Sequence, residues 1–272
     1  MKRLTVVGLM MWLSVSAGWV WAQDAAGVKP PPKVLVITRE FLKPGKSGTT
    51  HEKTESDFVK AFRDAKWPTT YIGMDSLSGK PRSLFFTGYD SYAAWEKDAL
   101  AVQKNAALSD ALDRAGSADG EVQSDADGGV FELREELSLR APVDIAHMRY
   151  FEITMIVAKP GHDEDIVKLT KMFVSAYEKI PDVHWATFQS QYGQYGNAYL
   201  FISPLKSATE IDAEFGQGKQ FEKAMGAEGM KQLGDLSEKS IESTQTNLFI
   251  INPKESYVPD SWVKADPAFW KP

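Results

Sequence analysis

Four histidines and no cysteine bound the side-chain chemistry open to this chain. Without cysteine there is no thiolate nucleophile, no thiolate metal site and no disulfide. His51, His147, His162 and His184 never stand at the short helical spacing of a zinc-binding pair, so the sequence predicts no metal site. His51 and His162 fall at the start of a helix in each half, where a surface position is expected. His147 lies in a connection, and His184 directly precedes a strand beside Trp185. A carboxylate is the other candidate base. Glu152 interrupts the apolar run 150–157, and burying a carboxylate raises its pKa toward the range useful to a general base. Glu152 and His184 are therefore the catalytic candidates. The alternative for Glu152 is solvation at an open end of the fold, or pairing with Arg149 or Arg39. Tyr92, Trp95, Trp185 and Tyr199 supply rings that stack on a flat ligand or fill a core. Asp125 and Asp127 sit in a stretch rich in Gly, Asp and Ser, read as an exposed loop over 116–129, which lacks the full calcium-loop pattern. No Gly-rich phosphate loop, nucleophile elbow or metalloprotease motif is present.

The elements that position these residues come twice. Ile37-Thr38 and Lys43-Pro44-Gly45 return 116 positions later as Ile153-Thr154 and Lys159-Pro160-Gly161. In the same register Leu84-Phe85-x-Thr87-x-x-x-Ser91 returns as Leu200-Phe201-x-Ser203-x-x-x-Ser207. Such an internal repeat governs the fold. In the first unit, strands are predicted over 34–41, 70–74, 83–87 and 130–137. Helices follow the first strand and Ser91, with a break before Leu108. Thr49 with Glu52 has capping-box spacing, as does Ser207 with Glu210. In the second unit, strands are predicted over 150–157, 185–192, 198–203 and 247–251. Its first helix carries Ile166, Leu169, Phe173, Tyr177 and Ile180 at steps of a helical stripe. Each unit reads β-α-β-β-α-β, the split ferredoxin-like order. The predicted fold class is α+β: two tandem ferredoxin-like repeats packed sheet to sheet as an intramolecular α/β barrel.

Strand alternation then assigns faces. Phe151, Ile153, Met155 and Val157 are assigned to the helices, and Tyr150, Glu152, Thr154 and Ile156 to the barrel. Val34, Val36, Thr38 and Glu40 match that barrel face in the first unit. The expected ligand-binding set is Tyr150, Thr154, Thr38, Glu40 and Trp185, between the two sheets.

Composition is that of a globular chain, 43% hydrophobic and 25% charged over 272 residues. Lys2 and Arg3, the apolar stretch 4–15 and Val20-Trp21-Ala22 read as a signal peptide over 1–22, cleaved after Ala22. An uncleaved anchor is the rival reading. A Pro-rich linker occupies 23–33, the repeats 34–141 and 148–253, and a C-terminal tail 254–272, which is expected to drape over the surface and bury Trp262, Phe269 and Trp270. The formal charge of −6 argues against nucleic acid and against an anionic membrane as partner. The expectation is an exported, periplasmic or extracellular protein, with no stable membrane insertion after cleavage. It is expected to be a monomer with an internal pseudo-dimer.

The β-α-β-β-α-β order, the strands ending in Lys-Pro-Gly, and Ser91, Trp95 and Glu96 in a Ser-x-x-x-Trp-Glu stretch resemble the dimeric α/β-barrel superfamily. Its antibiotic-biosynthesis-monooxygenase-like and NIPSNAP-like branches are nearest, and the resemblance spans 33–253. It implies a range of activities: cofactor-free oxygenases, haem-degrading enzymes, haem peroxidases and proteins with no known reaction. The haem-using members, as the resemblance implies, carry an axial histidine on a helix. The second helix of each unit, 91–112 and 207–243, has none, so no cofactor is expected. Three functions stay open: binding of a small apolar or aromatic molecule, cofactor-independent oxygenation of an aromatic substrate, or a structural module whose barrel is filled. A cavity of a few hundred Å³ with converging polar groups separates the first two from the third.

Overall fold

The computed structural model describes residues 27–271, so the signal-peptide segment lies outside the described residues. The first half runs β1 (Val34–Leu42), α1 (Thr49–Asp64), β2 (Tyr71–Ser76), β3 (Arg82–Tyr89), α2 (Tyr92–Lys104), α3 (Ala106–Asp119) and β4 (Gln123–Leu133). The second runs β5 (Tyr150–Ala158), α4 (Asp163–Tyr177), β6 (Ala186–Gly193), β7 (Ala198–Leu205), α5 (Thr209–Ser240) and β8 (Ile241–Ile251). A single 3-10 turn at Pro253–Glu255 and the short helices α6 (Asp260–Ala265) and α7 (Pro267–Trp270) finish the chain.

All eight strands pair antiparallel in the closed order β1-β3-β2-β8-β5-β7-β6-β4. The halves therefore join at their edges, through β2 with β8 and β4 with β6, rather than only face to face. Among the described residues every strand has a neighbour on each side, although β2 meets β8 over only three residue pairs. Several local expectations change. Residues 123–129 form the start of β4 instead of a loop. They pair along the C-terminal half of β1, from Gly129 opposite Ile37 to Gln123 opposite Leu42, with Arg39 opposite Asp127. The 116–119 part belongs to α3, which starts at a real break where the Asn105 carboxamide oxygen accepts from Leu108 N–H. The proposed capping boxes do not form. Gly48 precedes α1 without a side-chain cap, and Glu210 accepts from Lys206 N–H instead of closing on Ser207.

The face assignment is inverted. The barrel interior is the main core, built from Leu35, Ile37, Leu84, Phe86, Phe131, Phe151, Ile153, Phe188, Leu200, Ile202 and Phe249. Phe151 and Ile153 thus point into the barrel, while Glu152 and Thr154 point to the helices. The reason is dryness. Eight strands can surround their inner apolar sets completely, whereas two helices cover an outer face incompletely, so the more apolar set of each strand goes inside.

Side chains crowd both barrel mouths, although a space of about 320 Å³ lined by Leu35, Phe86, Phe151, Phe188, Ile202 and Trp262 remains at the second. At the first, Arg39 pairs with Asp127 at 2.8 Å, sits 5.0 Å from the Tyr195 ring centre, and leaves a space of only about 50 Å³. At the other, Trp270 is buried and its indole N–H donates to the Ala146 carbonyl at 2.9 Å. The Arg149 guanidinium lies 3.9 Å over Phe269 and pairs with Asp266. Arg39 and Arg149 are thus committed elsewhere, and neither pairs with Glu152.

Candidate functional site

Outside the barrel, each half has a space between its sheet and its helices, and the two spaces have unlike chemistry. In the second half α4 buries Ile166, Leu169, Thr170 and Ala176 against the sheet. Beside them a cavity of about 250 Å³ opens between β5, β7, the segment leading into β6, α4 and α5. Its walls are aromatic. Trp185 stands edge-on to Tyr177 at 5.7 Å, and Tyr177 stacks on Phe221 at 4.9 Å. The Trp185 indole N–H is held by the Leu137 carbonyl at 2.9 Å, which fixes the ring plane. Glu152, Thr154, Ser203 and Gln217 are the polar lining. Glu152 and Ser203 face one another across the β5–β7 ladder. Burial alone pushes the Glu152 carboxyl above the usual range.

The sequence-derived site residues divide accordingly. Glu152, Thr154 and Trp185 meet in this cavity. Tyr150 shares their strand face but does not line it. His184 is excluded by alternation, since Val183 and Trp185 on either side line the cavity. Its Nε2–H donates to the Pro204 carbonyl at 2.7 Å, so it is tied to the backbone and is not paired with Glu152. Tyr199 is a core residue whose hydroxyl donates to Asp163 at 3.2 Å. Thr38 and Glu40 belong to the other half, on the helix side rather than between the sheets.

In that first half the equivalent space is filled with ionisable groups. His51, expected at the surface, has no exposure at all. Helix α1 turns His51, Glu55 and Val59 inward, where α4 turns apolar residues. His51 Nδ1 lies 3.2 Å from Glu255 Oε1. His51 Nε2 lies 3.1 Å from Glu40 Oε2, 3.5 Å from Asp119 Oδ1 and 3.8 Å from Glu55 Oε1. Burial opposes charge on the imidazole, but hydrogen bonds to Glu255 and Glu40 outweigh it and lift His51 to about 11. Burial raises Glu40 and Glu55, and lifts Glu255 to about 7. The Thr54 hydroxyl donates to Asp119 Oδ1 at 2.6 Å, and the Gln123 amide donates to the other Asp119 oxygen. Asp75 accepts from Ser83 and from Asn252, each at 2.8 Å.

Sequence reading missed this cluster because it weighed His51 only against the other histidines. The available signal was His51 with Glu55, four apart on one helix face. Asp119 and Glu255 reach the site only through the tertiary fold.

No family model and no curated protein matches this chain. Solved structures do. A proposed monooxygenase from Fusobacterium nucleatum is 12% identical with a TM-score of 0.50, over 82% of this chain and 93% of that one. An anthrone oxidase-like protein is 15% identical with a TM-score of 0.54, over 83% and 94%. A chlorite dismutase from Candidatus Nitrospira defluvii is 9% identical with a TM-score of 0.47, over 86% and 95%. At these identities the likeness is one of fold: an α+β chain with a closed antiparallel ferredoxin-like barrel.

Proposed function

We propose that this protein binds a small apolar or aromatic molecule in the cavity between β5–β7 and helices α4 and α5. The observation that carries the reading is one carboxylate, Glu152, set in a space of about 250 Å³ walled by Trp185, Tyr177 and Phe173. Aromatic walls supply most of the affinity for a planar ligand, and a few fixed polar groups orient it. The barrel interior, where the ligand was first expected, is occupied by side chains at its centre. A second space of about 320 Å³ at the Trp262 mouth has mostly apolar walls and lacks a comparable convergence of polar groups. Trp185 fluorescence reports on the site directly. Titrating a naphthol or an anilinonaphthalene sulfonate into the protein should quench it saturably, and Trp185→Phe should remove that quenching. Saturable binding that persists unchanged in Trp185→Phe and Glu152→Gln would place the ligand elsewhere.

Cofactor-independent oxygenation of an aromatic substrate is the second reading, favoured by the raised Glu152 carboxyl. In it Glu152 removes an acidic proton from the substrate, and dioxygen is the oxidant. His184 has no part, because its Nε2 proton is held by a carbonyl. Oxygen uptake with a phenolic or anthrone-type substrate should vanish in Glu152→Gln; uptake at the wild-type rate would remove Glu152 from this role.

We further propose that the chain is a tandem duplication near the antibiotic-biosynthesis-monooxygenase-like and NIPSNAP-like branches. The support is the recurring Lys-Pro-Gly strand ends and the element order β-α-β-β-α-β in both halves. Export, with cleavage after Ala22, rests on the residues of the N-terminal segment, and N-terminal sequencing checks it. A monomer is part of this reading, supported by the closed barrel, whose strands pair within one chain; light scattering on the purified protein checks that.

A further inference from the structure

We propose that His51 Nε2, Glu40, Glu55 and Asp119 bind one divalent transition-metal cation in the first half of the molecule. The four ligand atoms come from three elements, β1, α1 and the end of α3, and all lie within 4.8 Å of one another. Their separations from His51 Nε2 are 3.1, 3.5 and 3.8 Å. An ion with bonds of roughly 2.0–2.2 Å in a tetrahedral shell sets its ligand atoms about 3.4 Å apart. The three separations from His51 Nε2 are therefore close to the edges of such a shell.

Acidic residues near a histidine are common, and proximity alone does not make a site. The second observation is an orphan. Glu55 is 3% exposed, and its Oε1 is buried with no hydrogen-bond partner among the described residues while facing His51 Nε2. A buried carboxylate oxygen left unmatched is costly, and a cation at the centre of the four ligand atoms would satisfy it. Nor is the charge balanced by the chain. Among the described residues the ion pairs of Glu40, Glu55 and Asp119 all go to His51, one imidazole against three carboxylates. The nearby lysine, Lys254, is spent on Glu52 at 3.1 Å.

The supporting groups are also those a metal-bound histidine uses. Glu255 Oε1, 3.2 Å from Nδ1, accepts the proton there, and an ion bound at Nε2 displaces the proton on that nitrogen. Thr54 and Gln123 hold the two oxygens of Asp119 in place. One nitrogen and three carboxylate oxygens suit Zn²⁺, Mn²⁺ or Fe²⁺ better than Mg²⁺ or Ca²⁺, which prefer oxygen alone. Glu40, whose side chain is 12% exposed, marks the side from which an ion enters. The cavity at Glu152 is in the other half and plays no part, so this inference is independent of the proposed ligand site.

The test uses the full chain, stripped with a chelator and dialysed against metal-free buffer. Zn²⁺ and, separately, Mn²⁺ are titrated by calorimetry, and metal content is measured after gel filtration. One equivalent per chain is expected. Glu55→Gln and Asp119→Asn should weaken binding by roughly tenfold or more, and Glu152→Gln should leave it unchanged. Glu40→Gln, at the open side, repeats the test at a position where folding is least at risk, with near-ultraviolet circular dichroism confirming the native state. Failure of the wild-type protein to take up either ion stoichiometrically would overturn the proposal. So would uptake equal to wild type in folded Glu40→Gln, since that would assign the ion to the His147–Asp144 or His162–Asp165 pairs.

Discussion

Glu152 carries a charge where the fold offers it little water, and this has a sign that can be measured. Its folded pKa lies above that of a free glutamate, about 4.3. The folded state therefore holds the proton more tightly than the unfolded chain. The cost of ionising it is absent below about pH 4 and grows as pH rises through the folded pKa. Glu152→Gln removes that cost. It should melt at or above the wild-type temperature near pH 7 and coincide with it near pH 4. A variant less stable than wild type near pH 7 would mean that the ionised carboxylate has a favourable partner. That Glu152 is special was legible in the sequence, because a lone acid inside an apolar strand has few innocuous places to go. Which side of the sheet it faces was not. A period of two separates a strand's side chains into two sets without saying which set meets the barrel. His51 was less legible still, because three of its four carboxylate neighbours, Glu40, Asp119 and Glu255, arrive from other elements.

Among the elements, β2 and the 3-10 turn at Pro253–Glu255 depend on one small residue. Asn252 N–H donates to the Gly73 carbonyl at 2.9 Å, and Gly73 N–H donates to the Ser256 hydroxyl at 2.9 Å. A Cβ at position 73 would overlap the carbonyl of Glu255. Gly73→Ala should therefore push this turn off the strand, costing about 1–3 kcal/mol of stability by chemical denaturation. Gly216→Ala is the control: it lies within α5 and faces open space, so it should stabilise by about 0.5–1 kcal/mol. A Gly73→Ala protein as stable as wild type would show that the contact is loose. Most strands and helices were legible because their apolar spacing is regular, as in α4. Residues 123–129 were not, because glycine and aspartate there signal a turn when read locally. The strand needs them: a Cβ on Gly128 would come within 2.8 Å of the Ile37 carbonyl, and one on Gly129 within 2.8 Å of the Tyr195 ring. Glycine marks close approach here rather than a reversal of the chain.

On the scale of the whole molecule, the segment after β8 acts as a stopper. Trp270, 6% exposed, belongs to the barrel core although it lies at the far end of the chain. Trp270→Ala should cost about 3–5 kcal/mol and increase binding of an anilinonaphthalene sulfonate dye as the barrel mouth opens. Unchanged stability would make α7 a surface ornament. The residues that recur 116 positions apart made the succession of strands and helices in both halves readable. The edge-to-edge closure was not readable, because pairing of β2 with β8 depends on matching the ends of two halves rather than on any local pattern.

That closure also sets a timetable. Leu248 N–H bonds to the Ser78 hydroxyl across 170 positions, and Ile251 sits opposite Met74. A chain made from its N-terminus therefore holds the free edges of β2 and β4 until the second half emerges, and β2 waits for the final strand. Neither half can finish alone, and long-range pairing of this kind slows folding. During synthesis the nascent first half is a sheet with two open edges and an uncovered apolar face, which is the form in which this protein is most exposed to aggregation and most in need of a chaperone.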